Sequence, residues 1–170
     1  MNLILFGPPG SGKGTQAQYL KNKYNYFQLS TGDLLRDEIK ANTNLGKKIS
    51  TIIDKGNFVT DEIVDKLLKK IIKNPNFTNK IIFDGYPRNM TQAKNLEDLL
   101  SEHHQRIGAI IFLNVSKEIL EKRILGRIVC EQCNIILNEF TDKKELINHV
   151  CGKQFLRKRA DDNMETIIKR

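Results

Sequence analysis

The sequence of 170 residues contains no apolar run approaching the roughly 18 residues that suggest a membrane span. Its first residues pass straight into "NLILFG" with no basic region and no cleavage site, so a cytoplasmic protein is expected. A long polar or repetitive tract is also missing. With 39% hydrophobic and 28% charged residues the balance is globular, which excludes a disordered or fibrous chain. Cysteine is scarce: Cys130, Cys133 and Cys151 are an odd number, which argues against a disulfide framework and leaves metal binding or idle thiols. Concentrated charge of one sign is missing too. The net charge is +8, but the lysines are spread through "KNKY", "GKKI", "KLLKK" and "TDKKE", as on solvated faces. Neither a nucleic-acid surface nor a membrane surface is expected, and small anionic ligands remain. The length suits one well-buried domain.

What is present is an alternation of strands and helices. "NLILF" (2–6), "KIIFDG" and "AIIFLNV" are short apolar runs that read as buried strands. Helical spacing recurs in "KGTQAQYLKNKY", with Ala17, Leu20 and Tyr24 on one face. It recurs in "TGDLLRDEIKAN", with Thr31 as N-cap and Leu34, Leu35 and Ile39 inward. "LGKKISTIIDKG", "TDEIVDKLLKKIIK" (capped by Thr60 or Asp61), "TQAKNLEDLLSE", "SKEILEKRILGR" and "RADDNMETIIKR" continue the pattern. Residues 128–158 break the rhythm. Strand, glycine loop and helix, followed by further strand and helix pairs, predict a doubly wound α/β domain with a parallel sheet covered on both faces. Ligands then bind beyond the carboxyl ends of the strands.

Two such positions carry chemistry. "GPPGSGKGT" (7–15) follows the first strand, and its glycines let backbone N–H groups curl around phosphate oxygens while Lys13 adds a mobile charge. A bare glycine turn is the bland alternative. The loop lacks the hydroxyl that ordinarily follows the lysine to hold magnesium: Gly14 stands there, and the hydroxyl arrives at Thr15. Asp84 ends the second apolar strand, where a carboxylate either orients the waters of a magnesium ion or merely caps a turn.

Taken in order, "GPPGSGKGTQA", "LSTGDLLR" (29–36), "DGYPRNMTQA" (84–93), "GR" (126–127) and "RADDNMET" (159–166) resemble the signature of adenylate kinases, essentially from end to end. The resemblance implies a P-loop nucleoside monophosphate kinase that catalyses MgATP + AMP ⇌ 2 ADP, with ATP, AMP and ADP as partners, as a monomer. It implies a P-loop core of residues 1–29, 60–126 and 159–170, an AMP-binding helical flap at 30–59 and a lid at 127–158. Magnesium would be held by phosphate oxygens and water, which accounts for Gly14.

The same resemblance assigns residues. Gly10, Ser11, Gly12, Lys13, Gly14, Thr15, Arg123, Arg127, Ile136 and Leu137 would bind ATP, with Arg123 over the adenine. Thr31, Arg36, Asn57, Phe58, Val59, Gly85, Tyr86, Pro87, Arg88, Gln92, Arg159 and Arg170 would bind AMP. Lys13, Asp84, Arg88, Arg127, Arg159 and Arg170 would serve the transfer itself. Asp161 and Asp162 either anchor a moving segment by pairing with arginines or simply start a helix. For any one arginine the plain alternative is a solvated charge. No general base is conspicuous and none is needed, because a phosphate with a second pKa of about 6 is already largely dianionic at neutral pH.

Some lids in the family hold zinc through C-x2-C and a second pair sixteen residues on. Here Cys130 and Cys133 form the first pair, the spacing to Cys151 is one longer, and Gln154 fills the last slot. His149 would complete a Cys3His structural zinc site; the alternative is that the thiols only fill small apolar gaps. Family members continue past Arg170, so this length is expected to be less stable than an extended one. Three alternatives stand beside adenylate kinase: a kinase for CMP or UMP, a hydrolytic P-loop NTPase, and a nucleic-acid module built on the cysteine knuckle.

Overall fold

The apolar runs pair as neighbouring parallel strands in a computed structural model of the chain, which describes residues 1–54, 59–159 and 162. The chain divides into two compact units, residues 1–6 with 16–112 and residues 7–15 with 113–170.

The first unit is built on a parallel sheet of β1 (Asn2–Phe6), β2 (Phe27–Ser30), β3 (Ile81–Asp84) and β4 (Ile107–Phe112), in the order β2-β3-β1-β4. Its helices are α1 (Lys13–Tyr24), whose first turn belongs to the second unit, α2 (Thr31–Lys40), α3 (Asn44–Asp54), α4 (Asp61–Ile72) and α5 (Met90–Glu102). Ile81, Ile82 and Phe83 are fully buried, as a central strand covered on both faces must be. On one side Ile4, Leu29, Phe83 and Tyr86 pack with Val64, Leu68, Leu96 and Leu100 from α4 and α5; on the other, Leu3, Leu5 and Ile82 pack with Ala17 of α1. Burying a side chain such as Phe83 contributes about 1.5–3 kcal/mol.

Register sets the functional edge. Leu5 and Ser30 both stand opposite Asp84, so the carboxyl ends of β1, β2 and β3 finish at one level. At the other end of the strands Asn2, fully buried, donates from Nδ2 to Gln105 Oε1 (3.1 Å) and accepts from the Ile81 N–H (2.9 Å). Gln105 Nε2 in turn donates to the Ile72 carbonyl at 2.9 Å. Amides thus stitch β1, β3, α4 and the entry to β4, leaving these buried polar groups paired.

The structure corrects four sequence expectations. β2 was not anticipated, because "FQLS" buries only Leu29 and offers no apolar run. The N-cap of α2 is Ser30, whose hydroxyl accepts from the Asp33 N–H at 3.3 Å, while Thr31 is already helical and donates to the Gly85 carbonyl at 3.3 Å. Tyr24 is exposed; it sits in the last turn of α1, where the Lys23 ammonium lies 5.4 Å from its ring centroid. β4 begins at Ile107 and ends at Phe112, not at the later bounds of "AIIFLNV"; among the described residues it is the outermost strand, and Ile110, Ile111 and Phe112 are exposed.

The second unit contains the glycine loop, α6 (Lys117–Leu125) and an antiparallel sheet of β5 (Arg127–Cys130), β6 (Ile136–Asn138) and β7 (Leu156–Arg157), ordered β6-β5-β7. A short helix, α7 (Lys143–Ile147), follows β6. The change of rhythm at 128–158 is therefore a change from parallel to antiparallel pairing. The helix expected at "RADDNMETIIKR" lies outside the described residues except for Arg159 and Asp162.

Candidate functional site

The glycine loop joins β1 to α1, and its shape depends on residues without a Cβ. Gly10 has φ +79°, and a Cβ there would come within 2.8 Å of Ile124 Cγ1, so the loop lies flat against α6 only as glycine. Lys13 opens α1 and folds its ammonium back over the loop, donating to the carbonyls of Gly7 (2.7 Å) and Pro8 (2.9 Å). Arg123 of α6 reaches the same loop, with Nη1 3.5 and 3.3 Å from the carbonyls of Gly10 and Ser11. The Ser11 hydroxyl is buried and, among the described residues, has no hydrogen-bond partner. An orphaned hydroxyl inside a glycine loop beside two cations is suited to an anionic ligand. Gly12 and Gly14 are half-buried and Thr15 is exposed.

A second constellation lies at the carboxyl end of β3, within the first unit. Gln28 Nε2 donates to Asp84 Oδ2 at 3.1 Å, which fixes the carboxylate at the strand end. The chain then turns at Gly85, with φ +75°, and passes through a cis Tyr86–Pro87 bond. Arg88 folds back on this turn: Nε donates to the Gly85 carbonyl at 2.8 Å, and Nη2 lies 3.4 Å from Thr31 Oγ1. Gln92 is buried, its Oε1 accepting from the Arg88 N–H at 2.7 Å and its Nε2 donating to Asp61 Oδ1 at 2.6 Å. The Tyr86 hydroxyl donates to Asp65 Oδ1 at 2.8 Å; burial first, and that carboxylate second, raise its pKa above the ordinary tyrosine value.

Of the residues expected to bind AMP, the structure gathers Thr31, Gly85, Tyr86, Pro87, Arg88 and Gln92. Val59 is half-buried against the same core. Arg36 is exposed and paired with Asp33 at 2.5 Å. Asn57, Phe58, Asp161 and Arg170 lie outside the described residues. Asp61 and Asp65 were missed, since an acidic start to a helix reads as a favourable interaction with the helix dipole and nothing in the spacing ties them to Gln92 or Tyr86.

In the second unit Arg127 Nε donates to Asp162 Oδ2 at 2.8 Å and Nη2 to Oδ1, a bidentate and largely buried pair. Asp162 thus takes the first of its two readings, pairing with an arginine. Arg159 is half-buried. Ile136 and Leu137 lie on β6, opposite Val129 and Ile128.

Cys130, Cys133, His149 and Cys151 converge, with their ligand atoms all within 4.8 Å of one another. Cys133 Sγ lies 3.6 Å from His149 Nε2. Tetrahedral zinc, with bonds of about 2.3 Å to sulfur and 2.0–2.1 Å to nitrogen, places neighbouring donors about 3.5–3.8 Å apart, so the set fits after a contraction of about an ångström. Burial alone would raise the Cys130 pKa, but donors led by the Cys133 N–H and His149 bring it down to about 6. Burial and the neighbouring sulfurs push Cys151 up to about 11.

With this geometry in place the comparisons with known proteins are decisive. The family model for adenylate kinase matches residues 5–170. The chain belongs to the adenylate kinase family. An adenylate kinase from Pelagibacter ubique is 58% identical over 170 residues, covering all of this chain and 80% of that protein. Adenylate kinases from Mycoplasma mycoides (43%, 98% of this chain and 78% of theirs) and Rhizobium etli (42%, 100% and 80%) are also similar. Among the described residues, no helix of this family member is long and apolar enough to cross a membrane.

Proposed function

We propose that this member of the adenylate kinase family transfers a phosphoryl group reversibly from MgATP to AMP, giving two ADP. The observation that carries the acceptor side is the turn after β3, where Arg88 is folded beside Thr31 and Gly85 and the Gln92 amide lies four residues on. Arg88, with Arg36, Arg159 and Arg170, grips the AMP phosphate; Thr31, the segment of Asn57, Phe58 and Val59, and Gln92 select the base. A guanidinium fork suits a phosphate because it can donate to two oxygens at once.

On the donor side the loop from Gly10 to Thr15 holds the ATP phosphates, with Lys13 as the mobile charge and the Ser11 hydroxyl as a further donor. Arg123, Ile136 and Leu137 contact the rest of ATP, and Arg127 joins Arg159 and Arg170 around the transferred group. Asp84, kept in place at the strand end by the Gln28 hydrogen bond, would orient the waters of magnesium bound with ATP, an ion that would neutralise charge on the phosphates. The chain's own task is to suppress repulsion between two highly charged phosphates, align them in line and exclude water. Residues 30–59 serve as the AMP flap and 127–158 as the ATP lid, moving against a core of 1–29, 60–126 and 159–170. A cytoplasmic monomer that binds neither nucleic acid nor membrane completes the reading.

The lid residues Cys130, Cys133, His149 and Cys151 hold one structural zinc ion. All four positions are occupied by protein, so the ion contributes to folding and not to the chemistry.

A coupled assay of ADP formation from ATP with AMP, CMP, UMP or GMP tests the function. AMP is expected to react fastest. A higher rate with CMP or UMP would overturn the assignment of substrate.

A further inference from the structure

We propose that Asp61 is a positioning residue for base selection, holding the Gln92 amide in one rotational state so that the site takes a 6-aminopurine monophosphate and rejects a 6-oxopurine one. The proposal rests on the reading of Gln92 as the group that faces the base.

Gln92 is pinned at both ends of its amide. Oε1 accepts from the Arg88 N–H at 2.7 Å, and Nε2 donates to Asp61 Oδ1 at 2.6 Å. A backbone N–H offers only a proton and an ionised carboxylate only lone pairs, so the chemistry of the partners fixes which end is oxygen and which is nitrogen. Turning the amide by half a rotation would set N–H against N–H and oxygen against carboxylate. Two hydrogen bonds would become two repulsions in a buried place, where the loss is largest.

The rest of the residue is already fixed. The Gln92 N–H donates to Asn89 Oδ1 at 2.7 Å, and its carbonyl lies 3.3 Å from the Tyr86 hydroxyl oxygen. Asp61 is held as well, by Asn89 Nδ2 at 3.2 Å from Oδ2, and it lies in the first turn of α4, where the helix dipole favours a carboxylate. The rotation of the amide is the remaining freedom, and Asp61 and the Arg88 N–H remove it together.

Each end of the pinned amide keeps one unused valence: a second hydrogen on Nε2 and a second lone pair on Oε1. Adenine presents an amino donor at C6 beside a ring-nitrogen acceptor, which matches an acceptor and a donor side by side. A 6-oxopurine presents a carbonyl acceptor beside an N–H donor, the reversed pattern. A freely turning glutamine would read both bases. A glutamine held by Asp61 and the Arg88 N–H reads one, and a base whose phosphate is gripped elsewhere cannot turn over to compensate.

The test measures kcat and KM for AMP and for inosine monophosphate with the wild type, Asp61→Asn, Asp61→Glu and Gln92→Ala. Asparagine can donate or accept, so in Asp61→Asn the turned amide keeps a partner at that end and meets one repulsion, at the Arg88 N–H, instead of two. The AMP to inosine monophosphate ratio of kcat/KM should fall at least ~10-fold in this variant, with the change on KM rather than kcat. Glutamate keeps an acceptor-only partner and should retain most of the preference. If Asp61→Asn does not fold, Asp61→Ser, which can also donate or accept, replaces it with the same expected outcome. A ratio within about two-fold of wild type in these variants, while Gln92→Ala loses the preference, would overturn the proposal and leave the Gln92 reading intact. An unchanged ratio in an active Gln92→Ala would overturn the Gln92 reading itself, and the proposal with it.

Discussion

In the first unit Ile81, Ile82 and Phe83 are fully buried, and α4 turns Val64, Leu67, Leu68 and Ile72 toward the core. In the three-stranded sheet of the second unit, Cys130 and Leu137 are the buried residues, and an adjoining cluster of sulfur and imidazole donors brings β5 beside the segment before β7. One region is held by the area of carbon it removes from water, a diffuse contribution that tolerates change at many positions. With the proposed zinc bound, the other would concentrate its cohesion at four side chains, where a single change would remove most of it. A small sheet with little apolar surface has few other routes to order.

The largest expected effect breaks this comparison at its narrow point. Metal binding supplies about 10–16 kcal/mol in small zinc modules. Removing zinc with a chelator, or replacing Cys133 by Ser, should abolish hydrogen-exchange protection of the amides from 127 to 157 and leave that of 81–84 intact. Absence of stoichiometric zinc in protein purified without a histidine tag, under reducing conditions, would rule the site out. In His149→Ala, retention of zinc would replace only the fourth ligand.

Next comes the apolar region. Phe83→Ala should lower stability by about 3–5 kcal/mol in urea titrations and should not alter zinc content. An equal loss of zinc would show that the two regions are not held independently. Lys13→Met and Arg88→Ala, one in each unit, should each lower turnover by at least ~10²-fold, about 2.7 kcal/mol, with little change in thermal midpoint. Wild-type rates with either variant would remove that residue from the mechanism. The smallest effect belongs to the exposed pair Lys69–Glu102, 3.9 Å apart. Glu102→Gln should change stability by less than about 1 kcal/mol, and the change should vanish in high salt.

The parts legible in the sequence were those with a strong period or fixed spacing. β1 and β3 are continuous apolar runs, and the expected α1 boundaries match the helix from Lys13 to Tyr24. β2 escaped because "FQLS" owes its state to its neighbour: it pairs with β3 from Phe27–Ile81 to Ser30–Asp84 and carries one buried side chain. The geometry of the glycine loop and of the Arg88 turn is local in sequence and was readable for that reason. The Cys3His convergence was readable because few residue types can ligate zinc. Asp61 was not, since a carboxylate thirty-one residues before Gln92 acquires its partner only when α4 and α5 pack. The pairing of Arg127 with Asp162 was foreseen only as one of two readings, because "DDNMET" is equally good as an acidic helix start.

The position of β1 in the sheet has a consequence for biosynthesis. It leaves the ribosome before the other described strands, yet both of its hydrogen-bonding neighbours, β3 and β4, come much later, and the partners of Asn2 lie 79 and 103 residues downstream. At translation rates of about 5–20 residues per second, the apolar segment "NLILF" waits on the order of 5–20 s for its surroundings. Nascent chains arrested at increasing lengths should therefore remain open to proteolysis near Phe6 until the segment that forms β4 has emerged, and become protected afterwards. Until then a strand whose Leu3, Ile4 and Leu5 end up buried is the segment most in need of a chaperone.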